Sequence, residues 1–137
     1  SMSVQQLWIL LLENLTFDQS DNTSAVVSRS RLQLMMQYVH AHYSENITLE
    51  DIAKTANISK SSALHLFQNN LRITPVKYLI NYRLKQAALL LINTEEKITT
   101  ISNNTGFNNV DHFCRTFKKT YQMTPSAYRN QERTPLL

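Results

Sequence analysis

Apolar positions recur with helical spacing along most of the chain. Val4, Leu7, Trp8, Leu11, Leu12 and Leu15 follow that spacing, which predicts an N-terminal apolar helix over residues 3–17. The segment 18–28 opens with DQSDNTSA, a polar run without a period, and reads as a linker. Leu32, Met35, Met36, Val39 and Tyr43 then form the stripe of a helix over roughly 29–44. Beyond it the elements shorten and each carries a start signal. Thr48 heads a capping box with Asp51, and Leu49, Ile52, Ala53 and Ala56 follow on one face. Asn57 tolerates a left-handed backbone and is placed to end that helix. Ser59 caps a second short helix carrying Ala63, Leu66 and Phe67. Thr74-Pro75 opens a long one, running to about Ile92, whose apolar residues include Val76, Leu79, Ile80, Leu84, Ala87, Ala88 and Leu91. That helix is apolar on more than one side, which predicts burial on more than one side.

The last third repeats this order. Ile98 and Ile101 start a short helix that ends at Gly106. Asn108 or Asn109 caps the next, which carries Phe113 and Phe117, and Thr124-Pro125 opens a final helix ending near Arg129. The repeat has a register. Ile52 and Ile101, Asn57 and Gly106, and Ile58 and Phe107 are each offset by 49 positions, whereas Phe67 and Phe117, Thr74-Pro75 and Thr124-Pro125, and Tyr78 and Tyr128 are offset by 50. The second copy therefore gains one residue between its turn and its second helix. Each copy reads as helix, tight turn, helix, then a Thr-Pro-capped helix. The short turn between two short helices favours two helix-turn-helix units over a helical solenoid.

Composition agrees with an all-α fold. The chain of 137 residues holds 42% apolar side chains, one glycine and three prolines, too few turn formers for a β-rich domain. The longest apolar run, Leu7–Leu12, is far short of the ~20 residues of a membrane helix. Neither a secretory signal nor a disulfide framework is visible, and Cys114 is the lone cysteine, so a cytoplasmic protein is expected. Ser1-Met2 reads as a cloning remnant. The net charge of +4 is uneven: residues 1–45 hold two basic against four acidic side chains, residues 46–137 twelve against six. A basic C-terminal part suits a polyanionic partner, although a solvated surface has the same composition.

The stretches ITLEDIAKTANIS at 47–59, RLKQAALLL at 83–91 and ITTISNNTGFNNVDHFCRTFKKTYQMTPSAYR at 98–129 resemble the paired helix-turn-helix domain of AraC/XylS-type transcription regulators. The signature residues are Ile101, Gly106, Phe107, Phe113, Arg115, Phe117, Lys118, Lys119, Pro125, Tyr128 and Arg129. The resemblance implies a DNA-binding domain over 29–131, with a first unit at 47–72, a linking helix at 75–92 and a second unit at 98–129. It makes residues 3–17 the end of an upstream sensor or dimerisation domain, or a dimer contact. Departures are Asn57, Arg72 and Gln122 where glycine is common, Ser102 for alanine, and Ala63 for a larger side chain.

By position, the resemblance implies base reading by Ser61, Leu64 and His65 in the first unit and by Val110, Asp111, Cys114 and Arg115 in the second. Arg115 can pair bidentately with guanine, while Leu64 and Val110 can meet thymine methyl groups. The competing reading of Arg115 is an ion pair with Asp111 four residues earlier. Phosphate contact falls to Lys60, Lys97, Lys118 and Lys119, with the helix amides that follow Thr48, Ser59 and Asn109. Lys118 and Lys119 point apart, so at most one of them faces DNA. The spacing of His112 and Cys114, like that of His40 and His42, does not suit a catalytic pair or a metal site. No enzyme, no cofactor and no metal are expected. The partner is double-stranded DNA, read in two successive major grooves about 34 Å apart from one rigid linking helix. RNA polymerase and a second copy through residues 3–16 are the further partners considered. The alternative is a helical module that docks on a partner protein.

Overall fold

The computed structural model describes residues 3–6 and 19–133, side chains at 19–22 excepted. Within residues 19–133 run the helices α1 Gln19–His42, α2 Leu49–Lys54, α3 Lys60–Leu71, α4 Pro75–Asn93, α5 Ile98–Asn104, α6 Val110–Tyr121 and α7 Pro125–Arg133. No strand occurs among the described residues. Of the N-terminal helix expected over 3–17, residues 4–6 are helical and Val4 is exposed. Trp8 and the leucines lie outside the described residues.

The start signals act as the side chains require. Thr48 accepts from the Asp51 amide at 3.1 Å and returns its own amide to the Asp51 carboxylate at 2.9 Å. Hydrogen bonding from the Thr48 backbone amide, and then from its side chain, holds the Asp51 carboxyl below its ordinary value. Ser59, Thr74 and Asn109 each accept from the amide three residues on. Asn57 has φ 54° and Gly106 φ 91°, the left-handed turns that reverse the chain inside each unit.

There are two cores. Leu32, Met35 and Val39 of α1 pack with Ile52, Ala53, Ala63, Phe67 and Leu79. Leu84, Ala87, Ala88 and Leu91 pack with Ile101, Phe107, Phe113 and Phe117. The α4 helix contributes to both, so it is gripped along its length. Its apolar surface is not wholly covered: Val76 and Leu89 are 44% and 46% exposed.

Two boundaries differ from the sequence reading. The helix expected from residue 29 already begins at Gln19, so the supposed linker over 18–28 is mostly helical. That segment has no apolar stripe, and Val26 and Val27 stand in solvent. It also has no glycine or proline to stop propagation from the packed turns at Leu32–Val39. The final helix runs to Arg133 rather than Arg129. Its last turn is held by Arg133, whose Nε donates to the Ile92 carbonyl at 3.1 Å and whose Nη2 donates to Thr94 O. Arg133 also pairs with Glu95. Arg129 adds bonds to the carbonyls of Leu91, at 2.9 Å, and Glu96, at 2.8 Å. These two side chains cap the C-terminal carbonyls of α4, which have no partner within the helix.

Candidate nucleic-acid interface

Burial decides which side of each second helix is available. In α3, Ala63 and Phe67 are fully buried, so the opposite side presents Ser61, Leu64, His65 and Gln68, all exposed. In α6, Phe113 and Phe117 take the core, and Asp111, Arg115 and Lys118 are exposed beside the half-buried Cys114. The two stripes occupy equivalent positions of the repeat: Ser61 with Asp111, Leu64 with Cys114, His65 with Arg115, and Gln68 with Lys118. Every base-reading candidate except Val110 falls on a stripe. Val110, at the first position of α6, is half-buried. Gln68 belongs to the same face and was missed. The signal was present, since Gln68 is seven residues beyond Ser61 and 50 before Lys118.

The stripe also separates the two lysines. Lys118 lies in line with Asp111, Cys114 and Arg115, whereas Lys119 is turned about 100° away. Among the described residues, Arg115 forms no ion pair with Asp111; the pairs present are His42–Glu45 and Arg133–Glu95. Burial, and then the Asp111 charge, push the Cys114 thiol above its ordinary value. A thiol so held offers the stripe an apolar contact rather than a nucleophile.

The side chains of Thr48, Ser59 and Asn109 are occupied by amides of their own helices. What they leave for an anion is the remaining first-turn amides of α2, α3 and α6. Lys97 is itself the N-cap residue of α5, with no side-chain capping bond, and Lys60 is the first residue of α3. Both are exposed. An open groove of about 510 Å³ runs beside α3, lined by Ser61, Ser62, His65 and Asn69 with Ser28 of α1. The helical continuation of α1 thus brings a residue of the expected linker next to the first stripe.

The two units also touch. Arg83 of α4 donates from Nε to Tyr43 O at 2.6 Å and from Nη2 to Glu45 O at 2.8 Å. Asn108 donates from Nδ2 to Asn46 Oδ1 at 3.0 Å. A cleft of about 440 Å³ remains between the units, lined by Thr48, Ile52 and Val76 on one side and by Phe107, Asn109 and His112 on the other. Among the described residues, no group of His, Cys, Asp and Glu side chains is placed to hold a metal ion. No helix there is long and apolar enough to cross a membrane.

Comparison with known proteins agrees with this geometry. A family model described as a helix-turn-helix domain matches residues 52–131. The uncharacterized HTH-type transcriptional regulator YdeC of Bacillus subtilis is 35% identical over 132 residues, which cover 94% of this chain and 44% of that protein. The lactose operon transcription activator of Staphylococcus xylosus is 34% identical over 99 residues, covering 72% of this chain and 36% of that one. A solved transcriptional regulator of AraC type from Chromobacterium violaceum superposes with a TM-score of 0.75 at 29% identity, covering 80% and 97% of the two chains. This chain spans less than half the length of those two curated relatives.

Proposed function

Because the chain belongs to the AraC/XylS-type helix-turn-helix family, we propose that it is the sequence-specific DNA-binding part of a transcription regulator. Its two second helices read two successive major grooves. The observation that carries this reading is the pair of equivalent stripes, Ser61-Leu64-His65-Gln68 and Asp111-Cys114-Arg115-Lys118, exposed throughout except at Cys114, which is half-buried against the second core. A helix presented this way fits a major groove about 12 Å wide. Arg115 is the strongest base reader, with a guanidinium that no carboxylate of its own helix engages. Ser61, His65 and Gln68 supply shorter polar contacts, and Leu64 and Cys114 supply contacts to methyl groups. Val110 and Asp111 complete the set at the start of α6. Lys60, Lys97 and Lys118, with the first-turn amides after Thr48, Ser59 and Asn109, meet the phosphates. Lys119 lies off the stripe and contributes as a general positive charge. RNA polymerase, and a second copy through residues 3–16, are the partners such a regulator would meet once on DNA in the cytoplasm.

The test is selection of bound sites from random duplex DNA, followed by titration of the selected duplex at several salt concentrations. Enrichment of two boxes one helical turn apart, with a steep linear fall of log K against log salt, is expected. Binding no tighter than that of an unrelated basic protein would refute it.

A further inference from the structure

The contact between the two units has an internal control, because the clamp that builds it occurs twice. Arg83 bonds the carbonyls of Tyr43 and Glu45, just past the end of α1. Arg133, 50 positions later, bonds the carbonyls of Ile92 and Thr94, 49 positions after those two and at the end of α4. An arginine at equivalent positions therefore ties the third turn of each Thr-Pro helix to the end of the helix that precedes its unit, and in the second unit Arg129 adds bonds to Leu91, Thr94 and Glu96. What rests on the two clamps differs. Gly106, in the turn of the second unit, sits directly on the first one. A Cβ at Gly106 would stand 2.5 Å from Tyr43 O and 2.7 Å from Arg83 Nε, closer than any side chain tolerates. Asn108, two residues on, is bonded to Asn46 of the same clamped loop. No such glycine contact or inter-unit bond is made to the Arg133 clamp among the described residues.

We propose that the Arg83 clamp, with Gly106 seated on it, is the joint that sets the separation of the two reading helices, so that Arg83 is a positioning residue for paired DNA boxes. The proposal rests on the DNA-reading function above. The physical reason is that α4 alone fixes the two cores only along one axis. A second contact off that axis, at Gly106–Asn108 against Tyr43–Asn46, removes rotation of one unit about the helix. Two linked reading modules gain affinity from each other only while their spacing matches the boxes. The Arg83 bonds hold the loop that supplies half of the second contact, and hydrogen bonds from a charged donor are among the stronger ones.

The experiment uses the full chain with Arg83→Gln, with Arg133→Gln as the control that removes the equivalent arginine from a clamp that carries no joint. Nitroxide labels at Asn69→Cys and Thr120→Cys, in a Cys114→Ala background, report the distance between α3 and α6 by double electron–electron resonance. A narrow distribution is expected for the parent and for Arg133→Gln, and a broadened or displaced one for Arg83→Gln. Unlabelled proteins are then titrated against duplexes carrying one box, or two boxes at varied spacing. Arg83→Gln should lose about tenfold on the best two-box spacing and flatten the spacing preference, while single-box affinity stays within about twofold. Should Arg83→Gln fail to fold, the exposed pair Asn46→Ala with Asn108→Ala weakens the same joint and is expected to broaden the distribution in the same sense. An unchanged distribution in the folded joint variants, or equal broadening in Arg133→Gln, overturns the proposal. A parent chain that binds no duplex refutes the DNA-reading function instead, and the label distances still decide the joint.

Discussion

Replacing Arg72 or Gln122 by glycine should stabilise the protein. Arg72 ends α3 at φ 62°, ψ 19°, and Gln122 ends α6 at φ 65°, ψ 15°. Both are left-handed, where a Cβ crowds its own backbone at a cost of about 1–2 kcal/mol. Glycine removes that cost but brings a freer unfolded chain, which returns about 0.5–1 kcal/mol. The capping amides lose nothing, since the bonds from Arg72 N to Gln68 O and from Gln122 N to Lys118 O belong to the backbone. Both side chains are exposed; Gln122 forgoes one weak bond from Nε2 to Lys119 O at 3.2 Å. The net gain is about 0.5–1 kcal/mol for Arg72→Gly and slightly less for Gln122→Gly. The sites lie in different units, so the gains should add. Thermal unfolding should show a rise of about 2–6 °C per site for a domain of this size. The alanine variants separate backbone from side chain, because Arg72→Ala and Gln122→Ala keep the strain and should gain nothing. If Arg72→Ala stabilises as much as Arg72→Gly, or if Arg72→Gly destabilises, the strain argument fails.

Arg115→Ala should cost about 1–3 kcal/mol on the selected site and relax specificity at one or two base pairs. Its melting temperature should not change, because no ion pair with Asp111 is lost; a drop in stability without a change in DNA binding would contradict this. Ser102 is fully buried, and its hydroxyl reaches Phe107 O only at 3.5 Å. Ser102→Ala should therefore be neutral or stabilising by up to about 1 kcal/mol in denaturant unfolding, and a loss above that would show the hydroxyl to be needed. His40 stacks on Tyr82 and shares a 2.6 Å hydrogen bond with Tyr78, and burial, then the Lys85 charge, lower its pKa from 6.5. A histidine held neutral gives stability that is complete above its ordinary pKa and is lost as pH falls from about 6.5 through the lowered value. His40→Gln should flatten the fall in melting temperature between pH 7 and pH 5, and an unaltered slope would count against the assignment.

Most of the fold could be read from local signals. The capping residues Thr48, Ser59, Thr74 and Asn109 and the left-handed Asn57 and Gly106 are short-range features, and the 49/50 register tied them into two units. The face of each second helix followed from Ala63, Phe67, Phe113 and Phe117. The misreadings have a common cause. Residues 19–28 looked irregular because they have no apolar stripe, yet a helix extended from a packed neighbour does not need one. Arg133 fell beyond the expected end of the domain because its role depends on carbonyls some 40 residues away, at Ile92 and Thr94. The same holds for Arg83, which the sequence presents only as part of the helical stretch RLKQAALLL. A side chain that caps a distant helix end leaves no local pattern; the repeat was the one route to it, since Arg83 and Arg133 keep the 50-residue offset.

The repeat is strict in its framework and loose on its reading face, and this bears on what a single chain recognises. Core and turn positions are matched in kind: Ile52 with Ile101, Phe67 with Phe117, Tyr78 with Tyr128. The stripes are not. Ser61, Leu64, His65 and Gln68 include no carboxylic acid, lysine or arginine, whereas the second stripe carries Asp111, Arg115 and Lys118. On the proposed function the first helix discriminates mainly by methyl contact and short hydrogen bonds, and the second by a bidentate arginine with a lysine beside it. Two such helices on one rigid frame do not favour a palindrome. Reversing the chain on its site would set the Arg115 helix against the box that suits Leu64, so one chain binds in one orientation, and its direction along the DNA is fixed by the difference between two helices that the framework treats as equivalent.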